Sequence, residues 1–326
     1  MAQLVQPEKV IIVQRPSPDV PLKIGTRGSP LALAQAYETR ARLMGAFALP
    51  EAAFEIVVIK VSGDNRRMVE ADKPLKEIGN KGLFTREIEE DLSAGKIDIA
   101  VHSMKDMPTL QPPGLLLDTY LPRADVRDAL IAPAHSRIAD LPHGARVGTS
   151  SLRRRAQILN QRPDLRVSEF RGNVQTRLRK LSEGMADCTF LACAGLSRLG
   201  LSDIPAHPIA PEQMLPAIAQ GAIGIERRAE DNHVAALLEA IHDLATGTQL
   251  RAERAFLKGL DGSCETPIAG LATQEGDTLT LLGEVLRPDG SEAISGRLTG
   301  PVEEAEALGA ALAQDLRERA GPAFFY

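Results

Sequence analysis

The apolar positions of the chain fall into short runs separated by polar turns carrying glycine or proline. Residues 22–26 form a brief apolar run, which predicts a buried strand. Ser29-Pro30 then supplies a helix cap and a proline at the first helical position. Leu33, Ala36, Tyr37, Ala41 and Met44 line one helical stripe behind it. Residues 54–61 (FEIVVIKV) carry the strongest strand pattern, ended by Ser62-Gly63-Asp64. Residues 65–84 are polar and dotted with Gly79, Lys81 and Gly82, the pattern of a mobile loop. A helix is predicted over 85–94 and a strand over 97–101, leading into His102-Ser103-Met104-Lys105-Asp106. Strand, helix, strand, helix, strand predicts a mostly parallel α/β sheet.

The pattern then repeats. Strands are expected at 129–132, 146–148, 166–170 and 188–192, with helices opened by Thr149-Ser150-Ser151 and by Arg171-Gly172-Asn173. A third region starts near Thr248 with a helix over 248–260 and the turn Asp261-Gly262-Ser263-Cys264. Runs at 278–286 and 293–298 flank Arg287-Pro288-Asp289-Gly290, a hairpin signal, and 302–320 reads as an amphipathic helix. Two doubly wound α/β domains plus a small C-terminal α+β domain is the fold class this predicts, in keeping with 326 residues.

Composition narrows the function. Nine of the 28 arginines lie between Arg146 and Arg179, alongside only Asp164 and Glu169, although the whole chain is at −5. Guanidinium forks match carboxylate and phosphate, so this window points to an anionic ligand. Nucleic acid is disfavoured by a pI near 5.8, the lack of tryptophan and an aromatic content of 3%. No apolar run approaches the roughly 20 residues of a membrane span. Residues 1–21 read as a loose tail without the pattern of a secretory signal. Cys188, Cys193 and Cys264 have no metal-ligand spacing, and three cysteines fit a reducing, cytoplasmic setting. Cys188 and Cys193 lie in or beside an apolar strand, whereas Cys264 follows a turn.

In open α/β sheets ligands gather at the carboxyl ends of strands. Arg27 and Ser29 follow the first strand; Ser103, Lys105 and Asp106 follow the strand at 97–101. Thr149, Ser150, Ser151, Arg153 and Arg154 follow the strand at 146–148, and Arg171 follows that at 166–170. Hydroxyls and free N–H groups at helix starts make anion sites, and several from two domains suggest a polyanion between them. A non-catalytic anion-binding protein on two such lobes is the rival to an enzyme at this point.

Several stretches together resemble the hydroxymethylbilane synthase, or porphobilinogen deaminase, family: TRGSPLALAQA (26–36), KGLFTREIE (81–89), VHSMKDMP (101–108), GTSSLRR (148–154), RGNVQTRL (171–178), QGAIGIE (220–226) and GSC (262–264). The resemblance runs from Leu22 onward. It implies two lobes similar to periplasmic binding proteins, residues 22–122 with 222–243 and residues 123–221, and a third domain over 244–326. It implies head-to-tail condensation of four porphobilinogen molecules into a linear tetrapyrrole. The product is built on a covalent dipyrromethane cofactor, by a monomer, without metal. Each pyrrole adds an acetate and a propionate, which explains the arginines. On this resemblance Asp106 is the catalytic carboxylate and Cys264 the cofactor anchor. Ser103, Lys105, Thr149, Ser151, Arg153, Arg154, Arg171 and Gly172 join Asp106 in holding the cofactor. Arg27, Ser29, Asp64, Lys81, Arg171, Arg177, Arg198 and Gln220 are expected to meet substrate. Arg155, Arg162, Arg166 and Arg179 are expected to be solvated surface, and His102 to make a structural hydrogen bond.

Overall fold

Three separate sheets carry the chain, one for each predicted region. The computed structural model describes residues 15–61, 85–261, 267–321 and Phe324. The first sheet orders its strands β2 (Phe54–Ile59), β1 (Leu22–Arg27), β3 (Ile99–Ser103), β10 (Ile223–Arg228) and β4 (Leu115–Tyr120). The second orders β7 (Arg166–Ser168), β6 (Arg146–Gly148), β8 (Cys188–Ala192), β5 (Asp128–Ile131) and β9 (Ala206–Pro208). β1 runs parallel to β2 and β3, and β10 antiparallel to β3 and β4. β6 runs parallel to β7 and β8, and β5 antiparallel to β8 and β9. The two sheets therefore share one topology. The expectation of a mostly parallel sheet needs one amendment in each: a single strand is reversed, and it is the strand adjoining a crossover. The chain leaves the first sheet after Tyr120, enters the second at Asp128, and returns at Ile223.

Local chemistry builds the helices where the pattern put them. Ser29 Oγ accepts from Ala32 N at the start of α1 (Pro30–Phe47). Ser151 caps α3 (Leu152–Gln161), and Asn173 caps α4 (Val174–Ser182). α2 (Arg86–Ser93) buries Ile88 and Leu92 against β3. β4, β9 and β10, together with α5 (Cys193–Arg198) and α6 (Asn232–Glu239), had no clear sequence signal. Among the described residues no helix is long and apolar enough to cross a membrane.

The third sheet is an antiparallel meander of β11 (Ile268–Glu275), β12 (Thr278–Leu286) and β13 (Ala293–Pro301). It packs with α7 (Leu244–Gly259) and α8 (Ala305–Ala320) around Phe256, Leu312 and Leu316. The same apolar cluster takes in Met104 and Met107, the residues on either side of Lys105-Asp106. Gly224 allows this: a Cβ there would collide with the Met104 side chain. From α7, the fully buried Glu253 receives both tips of Arg123 at 2.6 and 3.0 Å, Ala219 N at 2.6 Å and Ala272 N at 2.8 Å. One carboxylate thus ties the third sheet to both crossovers, and the four donors compensate its burial.

Candidate functional site

The residues at the carboxyl end of β3 are held from three sides. Ser103 donates from Oγ to Gln35 Oε1 at 2.9 Å, which ties the strand end to α1. A single 3-10 turn, Met104–Asp106, follows, closed by Met107 N donating to Met104 O. The two methionines point down into the third core, so Asp106 is left exposed. Arg254 of α7 donates to the carbonyls of Pro108 and Thr109 just beyond. Arg27, Ser29, Ser103 and Asp106 line one pocket, together with Gln35, Thr85 and His102.

The second sheet places its cations opposite. Lys105 keeps some open surface but is enclosed by protein on most sides, and that desolvation pushes its ammonium down to about 8. Asp106 and Asp128 oppose the shift, while Arg154 and Arg177 add to it. Arg177 is pushed down to about 10, by burial first and then by Arg154 and Arg171, with Asp106 pulling the other way. Cations of both lobes therefore repel one another around Asp106, an arrangement that added carboxylates relieve. Lys105 yields a signed prediction. It is charged below about pH 8 and neutral above, so affinity for a tricarboxylate probe falls as pH rises from 7 to 9. Calorimetric titration of the wild type and Lys105→Met checks this: the pH dependence disappears in the variant.

Arg153 and Arg154 sit deeper than carboxylate clamps on an open wall would. Arg153 Nη2 and Arg154 Nη2 each lie 2.7 Å from one oxygen of Asp128, and both side chains are about nine-tenths buried or more. Their other tips donate to Leu215 O and Phe190 O. Burial alone would raise the Asp128 carboxyl, but the two guanidinium groups outweigh it and hold it well below the usual carboxylate range. Gln220 adds a third donor to Asp128 at 2.9 Å and a bond to Val126 O, so it lies at the crossover. Asp128 was missed from the sequence; its only signal is an acid heading the apolar run DALI.

The other predicted residues divide clearly. Thr149 is buried, and its Oγ1 accepts from Ser151 N. Arg171 is buried beside Arg177, whose Nε donates to Gly172 O at 2.9 Å. Gly172 has φ +120°, and a Cβ there would meet Thr176, so only glycine fits. Arg198 lies apart from the pocket: it bonds Glu38 Oε2 on α1 and Gly221 O, clasping one lobe to the other. Arg179 pairs with Glu183 at the surface, whereas Arg162 departs from the expected solvated surface: it is part-buried, pairs with Asp164 and donates to the carbonyls of Ile138 and Leu141. His102 bonds Glu226. Asp64, Lys81 and Cys264 lie outside the described residues. Among the described residues no group of three or more His, Cys, Asp or Glu side chains has the arrangement of a metal site.

Two α/β lobes of one topology and a small third domain define a two-lobed α/β protein whose cations cluster near the exposed Asp106. Residues 22–236 match the family described as porphobilinogen deaminase, dipyromethane cofactor binding domain, and residues 248–318 match its C-terminal domain. A porphobilinogen deaminase of Paracoccus denitrificans (strain Pd 1222) is 60% identical over 314 residues, covering 96% of this chain and 99% of the relative. Among solved structures, a putative lipoprotein of Actinomyces odontolyticus aligns at TM-score 0.40 and 13% identity, over 69% of this chain and 91% of its own. The alkanesulfonate-binding protein SsuA of Xanthomonas axonopodis pv. citri aligns at TM-score 0.37 and 16% identity, over 74% of each chain. Scores this low say nothing of the site. The chain belongs to the porphobilinogen deaminase family, a family of transferases, and carries its cofactor-binding domain.

Proposed function

We propose that the chain condenses four porphobilinogen molecules, with loss of ammonia at each step, into hydroxymethylbilane on a dipyrromethane primer held through Cys264. The observation that carries this reading is a cluster of cations near Asp106: Lys105 and Arg177 beside it, with Arg154 and Arg171 next to Arg177. Mutually repelling cations fit a group bearing several carboxylates. The lobes correspond to residues 22–122 with 222–243 and residues 123–221, and the third domain to 244–326. The chain works as a cytoplasmic monomer and needs no nucleic acid, membrane or metal.

Each residue has a task in this reading. When bound, the primer supplies a nucleophilic ring carbon. Lys105, Arg171 and Arg177 would hold its carboxylates, with hydroxyl support from Ser103, Thr149 and Ser151 and backbone contact at Gly172. Arg153 and Arg154, fastened to Asp128, supply a fixed positive field beneath them rather than mobile forks. Arg27 and Ser29 would receive the incoming substrate in the Asp106 pocket. Asp106 balances the positive charge left on the substrate when ammonia departs. Asp64 and Lys81 complete the proposed substrate contacts, while Gln220 and Arg198 support the site indirectly, through the crossover and the clasp between lobes. The described cysteines are poor nucleophiles, since burial pushes the Cys188 thiol up to about 12 and that of Cys193 up to about 11.

Intact-protein mass spectrometry tests the proposal. The active protein carries a covalent excess equal to two linked pyrroles, and digestion places it on a peptide containing Cys264. Cys264→Ala lacks the excess. An active protein of unmodified mass would overturn the reading.

A further inference from the structure

His102 is a buried titratable group that the reaction above leaves unused. It faces Gly224 across the β3–β10 ladder and lines the same pocket as Arg27, Ser29, Ser103 and Asp106. Glu226 lies opposite Ala100, two positions back along β3, so its side chain and that of His102 leave the sheet on one face. His102 Nε2 lies 3.0 Å from Glu226 Oε2, and both side chains are buried. An ionised carboxylate only accepts, so Nε2 carries the hydrogen and Nδ1 keeps a lone pair. Glu226 is the hydrogen-bonding partner of the ring among the described residues, which leaves the Nδ1 edge for the pocket.

Charged groups face the ring from several elements. Glu226 Oε1 is buried without a hydrogen-bond partner among the described residues. Glu89 of α2 has its carboxyl pushed up by burial first and by Glu226 second, with Thr85, His102 and Arg86 opposing. Arg254 approaches Glu226 from α7, and Asp106 and Arg27 share the pocket. The ring thus stands beside one fully buried carboxylate, Glu226, and near a half-buried one, Glu89.

We propose, on the basis of the condensation reading, that His102 backed by Glu226 accepts the proton released in each condensation. Ammonia leaves with the C–N electron pair, and Asp106 balances the cation that remains. Ring electrons make the new C–C bond, and the carbon that formed it then bears one hydrogen too many. That hydrogen passes to His102 Nδ1 as a proton, and its C–H electron pair returns to the ring. Nε2–H stays on Glu226, and the imidazolium hands the proton to water. No redox partner is involved.

The test uses the full-length holoenzyme and the variants His102→Gln and Glu226→Gln. In His102→Gln, kcat falls by about 10²-fold or more while KM, the unfolding midpoint and the covalent mass excess stay near the parent values. In Glu226→Gln, kcat falls about tenfold or more while KM stays near the parent value, because the imidazole loses the carboxylate that orients it and balances its charge. Nitrogen-15 NMR provides a readout independent of turnover: the hydrogen of the parent ring sits on Nε2, against Glu226, and Nδ1 carries the lone pair. A His102→Gln variant within twofold of the parent overturns the proposal, as does a parent ring that carries its hydrogen on Nδ1 and its lone pair on Nε2. In both cases the condensation reading survives if the parent still converts porphobilinogen. A parent that does not convert it overturns both.

Discussion

Asp106→Asn lowers kcat by about 10²–10⁴-fold and leaves the fold and the anion affinity in place. Asparagine has nearly the same shape but no charge to set against a cation on the substrate. The fold survives because Asp106 is exposed, and its position is set by Met104 and Met107 in the third core rather than by its own contacts. Anion affinity holds because the substitution removes a negative charge from a cluster containing Lys105 and Arg177. Steady-state kinetics beside a carboxylate-ligand titration checks both halves. Turnover within tenfold of the parent would remove Asp106 from its role.

Asp128→Asn is the largest expected effect on stability, a loss of about 3–5 kcal/mol. Its carboxylate is fully buried and takes a terminal nitrogen from each of Arg153 and Arg154, whose neighbouring Nε atoms are themselves buried without partners among the described residues. Removing the charge strands two buried cations. The folded pKa of Asp128 lies below its unfolded value, so its contribution is present above the ordinary carboxylate range and is lost only in acid. Urea unfolding at pH 7 measures the loss, with Gln220→Ala as the comparison. Gln220 gives Asp128 one neutral donor, and its removal costs about 1 kcal/mol. A loss below that for Asp128→Asn would mean that the arginines find other partners.

Asp106 and Asp128 also show how far the chain could be read in one dimension. Asp106 was legible because it follows an apolar strand within VHSMKD, a run long enough to resemble a family. Asp128 was not, because its partners stand 25, 26 and 92 residues away, and no local period records such distances. Arg153 and Arg154 were expected to hold the cofactor; on α3 they turn inward with Ala156 and Ile158 and meet Asp128. Arg198 was expected to meet substrate, and its partner Glu38 could not be read locally because it belongs to the other lobe. β10 escaped notice because its neighbours β3 and β4 precede it by more than a hundred residues, and its antiparallel course follows from the crossover.

Near-neighbour chemistry settled the elements: period, caps and turn residues act within a few positions, so strands, helices and strand-end hydroxyls were readable directly. The motifs drew attention to Asp106, to Cys264 and to the arginine-rich segment. Only the tertiary structure decided which cations face Asp106 and which are spent on Asp128, Glu38 or surface acids. Charge acts through space, and the separation between two side chains here is set by two crossovers and a buried glutamate that joins them.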